Sequence, residues 1–430
     1  MSSRRIVFVC HTAAGESLRS ARAIANLDGV ELLGISQGPV SVECRELFAE
    51  MRSVADVHDA EQLIDTAKTY GNVHKIVTAQ ETLLLPVAEA NEASGLAAMS
   101  SETVRQTLDK SRLKATMKRA GVTTPDDQIV TNPAQAHRFA SEIGFPIILK
   151  PVAGSGAITT FTIRDQQQLD QVLRLMQPSA GHPVIAERYA LGVERCFDTI
   201  TIANEPQYYS ICEYNPPILH ALEDPERQWQ CVMPRDIDRD GEQDFIAQGL
   251  AAVRALAVGN AMTHMEGFLN RGGPAGFIDA TLRPAGARIA PMFGFACDVD
   301  PYRVWARVVV DGCFDGPLER KYVVGTIFLR GVGSGVVTQI DGVDTVYERI
   351  DDLLVEAHWP KLRAAKSPTY TGDGFISIRH GDYGVIRNAM ELIERTVKIT
   401  YTSSKPDSPV WSDRLSNYQS LNKPAWEATS

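Results

Sequence analysis

The chain of 430 residues is 44% hydrophobic and 22% charged, which is typical of a globular protein and long enough for roughly two to four domains. Its formal net charge of −10 argues against a nucleic-acid partner held by bulk electrostatics, although a local basic pocket for phosphates is compatible with it. Seven cysteines without CxxC spacing indicate reduced thiols and a cytoplasmic protein. No apolar run reaches the length of a membrane span and no signal-peptide pattern follows the amino terminus, so we expect no membrane partner.

The amino-terminal part alternates strand-length apolar runs with helical patterns. RIVFVC ends at Cys10, a helical pattern follows up to Gly29, and VELLGIS resumes as a strand before a second strand–helix pair begins at Lys75. This alternation predicts a Rossmann-like βαβ domain. The turn at residues 12–15 could hold an anion at a helix N-terminus, but it lacks a full GxGxxG fingerprint, so a plain strand-to-helix turn is the favoured interpretation.

Two lysines come next in the chain, and the sequence around the second gives the stronger indication of a function. A helical pattern ending at Gly121 contains Lys110, which taken alone reads as a solvated surface residue. The apolar strand FPIILK ends in Lys150, and a lysine there costs desolvation energy unless an anion meets it. A glycine-rich turn follows that could lay backbone N–H groups over phosphates, with an exposed hairpin tip as the equal alternative. This turn contains Gly154, Ser155 and Gly156.

Residues 260–286 contain the most informative pattern, two apolar-rich runs on either side of a glycine pair at 272–273. A hairpin turn centred there places Glu266 directly opposite Asp279. Two carboxylates in register repel each other unless a cation lies between them, and oxygen ligands of this kind suit Mg²⁺. A solvated hairpin with scattered charges is the alternative, because a slip of one residue would break the register.

Side chains alternate along a strand, so the same register predicts which residues share the acidic face of this hairpin. The residues expected on that face are His264, Glu266, Asp279, Thr281 and Arg283, and those expected to point into a core are Ile278, Ala280 and Leu282.

Three other stretches carry weaker expectations. Residues 213–245 are rich in Pro and charge and predict a long irregular loop that lines a variable substrate pocket. Residues 347–359 predict a helix, and residues from about 403 onward predict a polar tail docked through its aromatic side chains. Acids along the strands near 187–198, taken singly, read as surface residues.

Taken in order, five features resemble the ATP-grasp superfamily over roughly residues 5–400. They are the βαβ domain, the helix with Asp109-Lys110, the strand ending in Lys150 before a glycine-rich turn, the stretch ERYALGVE, and the acid–acid–arginine hairpin. The similarity is greatest to carboxylate–amine ligases, which include biotin carboxylase and L-amino-acid ligases. It implies an α/β (α+β) fold with an N-terminal Rossmann-like βαβ domain, a central lid subdomain and a C-terminal antiparallel-sheet subdomain. The segments implied are 1–108, 109–190, 191–402 and a tail at 403–430.

The resemblance also implies roles for individual residues. Lys110 and Lys150 would contact the phosphates of ATP, with the glycine-rich turn folded over them. Glu187 would lie near the adenine amino group, Arg188 and Tyr189 would offer backbone groups to the base, and Glu194 would hold the ribose hydroxyls. Glu266 and Asp279 would hold Mg²⁺, or Mn²⁺ in its place, and Arg283 would steady the reacting carboxylate.

Two positions depart from the family pattern. Asp279 stands where a glutamate is usual, and Thr281 stands where an asparagine is usual. A threonine hydroxyl can still ligate a metal or hold a bound water, but with a different reach.

The function implied is an ATP-dependent ligase that joins a small-molecule carboxylate to an amine through an acyl phosphate. Arg283 would be catalytic, and His264 would bind or orient a substrate unless it is a packed structural histidine. Carboxylation of the biotin-dependent kind is less favoured because no biotinyl-lysine domain is seen, and a nucleotide-binding regulatory protein with impaired chemistry is a third alternative. The resemblance suggests a homodimer.

Overall fold

The computed structural model describes residues 3–12, 15–38, 40, 42–152, 159–224, 226–237, 242–269 and 276–404. The glycine-rich turn, the tip of the hairpin at 270–275 and the tail from 405 lie outside the described residues, as do the predictions that concern them. No helix within the described ranges combines the length and apolarity needed to cross a bilayer.

The amino-terminal part folds around a four-stranded parallel sheet in the order β3-β2-β1-β4. This confirms the predicted βαβ unit, because Val7 to Cys10 are fully buried between helices on the two faces. The strands are β1 Arg4–Cys10, β2 Val30–Ser36, β3 Glu50–Ser53 and β4 Lys75–Val77; the helices are α1 Gly15–Ala25, α2 Val42–Arg45, α3 Ala60–Thr69 and α4 Leu84–Ala93. A 3-10 turn at Glu81–Leu83 leads into α4.

Two helices, α5 Ser101–Leu108 and α6 Lys110–Arg119, connect this sheet to the next. The sequence predicts one continuous helix here, and that prediction is wrong. Asp109 is extended, with φ −90° and ψ 105°, and its carboxylate accepts hydrogen bonds from the amides of Ser111 and Arg112. Aspartate is a strong N-cap, so it starts a new helix and sets Lys110 at the first helical position.

The lid sheet has four antiparallel strands in the order β5-β8-β6-β7, packed on two amphipathic helices. Asn132 and Asp165 cap the two helices through their side chains, which fixes where each begins. The elements are β5 Asp127–Val130, α7 Pro133–Ile143, β6 Ile147–Pro151, β7 Phe161–Ile163, α8 Gln166–Met176 and β8 Val184–Arg188.

An eight-stranded antiparallel sheet, in the order β13-β12-β9-β10-β11-β14-β17-β16, forms the rest of the core. Its strands are β9 Val193–Ile202, β10 Glu205–Asn215, β11 Trp229–Met233, β12 Ala261–Leu269, β13 Gly276–Thr281, β14 Val323–Leu329, β16 Leu354–His358 and β17 Gly374–His380. The helices are α9 Ile218–Glu223, α10 Gln243–Leu256, α11 Ile289–Cys297, α12 Pro301–Asp311, α13 Val343–Ile350 and α14 Tyr383–Thr396. A separate pair, β15 Ser334–Asp341 and β18 Lys398–Ser403, completes the described chain.

Two further sequence predictions fail in this sheet. Residues 213–245 contain helix α9 and the fully buried central strand β11, so much of this stretch is not an irregular loop. Residues 347–359 begin as helix α13 but continue as the edge strand β16. In both places a strand forms because it pairs with neighbouring strands, and the local sequence pattern did not indicate that pairing.

The predicted hairpin is formed by β12 and β13, with Glu266 directly opposite Asp279 and His264 opposite Thr281. The prediction that Ile278 points into the core is wrong. A bulge after Glu266 shifts the register by one residue, so Phe277 is buried in the core and Ile278 lies in a cavity wall. Ala280 and Leu282 are buried in the core as predicted.

Candidate active site

A cavity of about 160 Å³ lies between the lid sheet and the eight-stranded sheet. Its wall contains every described residue that the sequence singled out for the site. These are Lys110, Lys150, Glu187, Arg188, Tyr189, Glu194, His264, Glu266, Asp279, Thr281 and Arg283. Residues separated by up to 173 positions in the chain, from Lys110 to Arg283, therefore meet in one place.

The cavity floor is a grid of side chains from three neighbouring strands. Strand β12 lies between β9 and β13, so His264 is flanked by Asp198 and Thr281. In the next row Glu266 is flanked by Cys196 and Asp279. Because residues two apart on a strand share a face, the cross-strand register alone puts three carboxylates on this face of the sheet, and two of them, Glu266 and Asp279, line the cavity.

Asp198 and His264 contact each other directly on the floor. Nδ1 of His264 lies 2.7 Å from Oδ1 of Asp198, and Nε2 lies 3.5 Å from Oε1 of Glu266. The pKa of His264 stands well above its ordinary value, because the attraction of Asp198 outweighs the burial that alone would lower it. The Sγ of Cys196 donates to the other oxygen of Asp198 at 2.9 Å.

Cys196, Asp198 and His264 also meet the spacing of a metal-binding group. The separations of 2.7 and 2.9 Å are hydrogen-bond lengths, however. They are shorter than the roughly 3.4 Å that separates ligand atoms around a tetrahedral zinc. We therefore interpret these side chains as bonded to one another, with Asp198 holding the ring of His264.

The acid pair on β12 and β13 fits a hard cation. Glu266 and Asp279 face each other across the ladder, and the hydroxyl of Thr281 is buried with no hydrogen-bond partner among the described residues. Carboxylate and hydroxyl oxygens are the ligands that Mg²⁺ accepts, so the residues present fit that ion. Lys110 forms an ion pair with Asp279, and this attraction raises the pKa of Lys110 although burial alone would lower it.

The opposite end of the cavity, in the lid, has a surplus of positive charge. The ammonium groups of Lys114 and Lys150 each lie 2.9 Å from Oε1 of Glu187, and all three side chains are buried. Burial alone would raise the pKa of Glu187, but the two ammonium groups lower it, so the acid is ionised. Burial also lowers the pKa of Lys114.

The strand end after Glu187 is held within the lid and against α9. The amide of Arg188 donates to the carbonyl oxygen of Asp126 at 2.8 Å, so this N–H is used within the sheet. The hydroxyl of Tyr189 lies 2.9 Å from Nε2 of His220.

Glu194 is fully enclosed and uncharged near neutral pH. Burial, together with the nearby carboxylate of Glu266, raises its pKa to about 8, although the amide of Ile218 donates to it at 2.6 Å. A carboxyl group in this state can both donate and accept hydrogen bonds.

Arg283 contacts the amino-terminal domain. Its Nε and Nη2 lie 3.1 and 2.7 Å from Oε2 of Glu81, which itself lines the cavity. The guanidinium is thus held at the cavity wall by an acid from another sheet.

Three residues of the cavity region were not assigned a role from the sequence. Lys114 could have been found, because it lies one helical turn after Lys110 among apolar neighbours. Asp198 could have been found from its alternation with Glu194 along one strand. Glu81 gives no local signal, since only the tertiary fold brings it to Arg283.

Comparison with solved structures confirms the ATP-grasp fold expected from the sequence. The structure is similar to that of an L-amino acid ligase from Bacillus licheniformis, with a TM-score of 0.74 at 17% identity over 94% of this chain and 100% of that chain. It is also similar to N5-carboxyaminoimidazole ribonucleotide synthetase from Thermotoga maritima, with a TM-score of 0.68 at 16% identity over 93% of this chain and 99% of that chain. Residues 109–195 match the family model described as carbamoyl-phosphate synthase L chain, ATP binding domain.

Among curated proteins, the chain is similar to the alanine–anticapsin ligase of Bacillus subtilis. The two are 26% identical over 251 residues, which is 54% of this chain and 52% of the ligase. An L-arginine-specific L-amino acid ligase of Bacillus subtilis is 28% identical over 160 residues, 35% of this chain and 38% of that protein. The chain thus spans at most about half the length of these curated relatives.

Proposed function

We propose that this chain is an ATP-dependent, ADP-forming ligase that joins the carboxylate of an amino acid or related small acid to an amine. The observation that carries this proposal is the division of charge in the cavity. Glu266 and Asp279 lie in register at one end, and Lys114 and Lys150 surround Glu187 at the other. A metal-bound triphosphate needs acids for its cation and lysines for its phosphates.

The reaction proposed proceeds by two displacements. An oxygen of the acid attacks the γ-phosphorus of ATP, the bond to the β-phosphate oxygen breaks, and ADP leaves from an acyl phosphate. The amine nitrogen then attacks the acyl carbon, phosphate departs with the carbon–oxygen bond pair, and the nitrogen loses a proton to solvent. Phosphorylation thus turns a poor leaving group into a good one.

The chain's own residues contribute charge and position to these steps. Lys150 lies at the end of β6, where its ammonium can meet a phosphate in place of Glu187. Arg283 is proposed to hold the reacting carboxylate and the oxyanion that follows it. Mg²⁺ held by Glu266 and Asp279, with Thr281 beside them, would supply neutralisation of the phosphate oxygens.

Lys110 and Glu194 complete the assignment. We assign Lys110 to the phosphates and Glu194 to the ribose hydroxyls, as the family resemblance implies, and Glu194 lines the same cavity in an uncharged state. The names of the curated relatives, both amino acid ligases, support an amino-acid substrate. A homodimer stays a prediction.

A coupled assay of ADP release tests the proposal. ADP should form only when Mg-ATP, an acid and an amine are all present, and Glu266→Ala and Lys150→Ala should each abolish it. Glu205→Gln is a matched control, because this acid is exposed at the start of β10 and outside the cavity wall. ADP release without any amine or acid requirement, or no release across a broad screen of amino-acid pairs, would contradict the proposal.

A further inference from the structure

Two phenol groups in the cavity wall have no assigned role. Tyr214 is the next-to-last residue of strand β10 and is buried, and Tyr370 lies in the loop before β17 and is half-buried; both line the cavity. Within the part of the chain that the structure describes, neither phenol oxygen has a hydrogen-bond partner. Both hydroxyls line the cavity wall and are therefore available to a ligand that enters it, and a ligand that shielded them from water without pairing with them would lose affinity.

The two rings are held firmly in place by one tryptophan. The ring centroid of Trp229 lies 5.2 Å from that of Tyr214 and 4.8 Å from that of Tyr370, both nearly edge-to-face. Trp229 is fully buried, and its Nε1 donates to the carbonyl oxygen of Pro216 at 3.0 Å. This packing fixes both phenols before any ligand binds, which lowers the entropy cost of using them.

Both phenols line the same cavity as Glu266 and Arg283. The negative charge of Glu266 acts on both hydroxyls, and the positive charge of Arg283 acts on that of Tyr370. Burial is the largest effect on each, and it raises the pKa of both groups, so both phenols keep their protons and act as donors.

We infer that Tyr214 and Tyr370 donate hydrogen bonds to the oxygens of the substrate's reacting carboxylate, beside Arg283. This inference rests on the proposed function. An anionic oxygen is the ligand that two fixed O–H donors and a guanidinium fit together. The same donors then face the oxyanion that forms when the amine attacks, where a fixed donor is most effective.

Tyr214→Phe and Tyr370→Phe test the inference, because each removes one oxygen and leaves the ring on Trp229. Each variant should lower kcat/KM for the acid substrate by roughly ten- to a hundred-fold, the loss expected for a hydrogen bond to a charged group. The KM for ATP should stay within about two-fold of the wild-type value, since the phenols do not contact the nucleotide in this account.

Tyr208→Phe is the matched control. Its hydroxyl is also buried, but it pairs with the Sγ of Cys297 at 3.3 Å outside this cavity, so kcat/KM should be unchanged. Wild-type activity with both Phe variants within two-fold of it would overturn the inference and leave the proposed function standing. A rise confined to the KM for ATP would also overturn the inference, because the phenols would then bind the nucleotide and not the acid substrate. Absence of wild-type turnover would instead count against the proposed function.

Discussion

Charged side chains are balanced differently at the two ends of the cavity. In the lid, Glu187 pairs with two lysines inside a shielded cluster whose three members are each less than 8% exposed. On the sheet floor, Asp198, Glu266 and Asp279 outnumber the cations that meet them, and the side chains of Glu266 and Asp279 are 24% and 31% exposed. The lid cluster therefore pairs its charged groups with one another and keeps an excess of positive charge. The floor has an excess of negative charge, which a bound cation would neutralise.

The largest effect expected from this difference is on activity. Glu266→Gln keeps the size of the side chain but removes one of the two facing charges that would hold the metal. Loss of several kcal/mol of charge stabilisation should lower kcat by about 10³-fold in the ADP-release assay. If activity survives within about ten-fold, the floor is not the metal site.

The free energy of unfolding should depend more on the lid cluster than on the floor, which is the reverse of the order expected for activity. Glu187→Gln leaves two buried lysines without their acid and should lower the free energy of unfolding by about 3–5 kcal/mol. Glu266→Gln removes a partly exposed charge opposite another acid and should change it by less than about 1 kcal/mol. Urea denaturation of both variants measures the difference, and equal losses would show that the two ends are not distinct.

Asp198→Asn should weaken Mg²⁺ binding at the floor without changing any side chain that is proposed to bind the ion. Asp198 holds the ring of His264, whose other nitrogen faces Glu266, so its loss should raise the Mg²⁺ concentration for half-maximal activity by about ten-fold. Ser210→Ala is the control, because Ser210 is the buried cross-strand neighbour of Asp198 on β10. An unchanged Mg²⁺ requirement with a lowered kcat would instead assign His264 to the substrate.

The last prediction is a pH dependence of stability from Glu194. Its pKa of about 8 in the folded chain exceeds the ordinary value of 4.5, so the folded state binds more protons between these limits. Stability from this group is full below about pH 4.5 and falls as pH rises to about 8, by at most about 1.4 kcal/mol per pH unit. Glu194→Gln should flatten that slope in thermal unfolding between pH 5 and 8; a wild-type slope retained in the variant would contradict the assignment.

The sequence predicted the floor better than the lid, for a physical reason. The register of β12 and β13 follows from alternation and a glycine turn, so Glu266, Asp279 and His264 could be placed on one face before the structure was known. The break at Asp109 is a local N-cap that the helical pattern alone did not indicate. The bulge that turns Ile278 into the cavity and the central place of β11 depend on pairing between strands, and the meeting of Glu81 with Arg283 depends on the tertiary fold.

Calorimetric titration of Mg-ATP into the wild-type chain tests the central claim most directly. A cavity with lysines at one end and facing acids at the other should bind Mg-ATP saturably at or below about 1 mM. Binding should weaken when Mg²⁺ is chelated and in Lys150→Ala. Absence of binding heat at millimolar Mg-ATP over several temperatures, or affinity that ignores both Mg²⁺ and Lys150, would contradict the account.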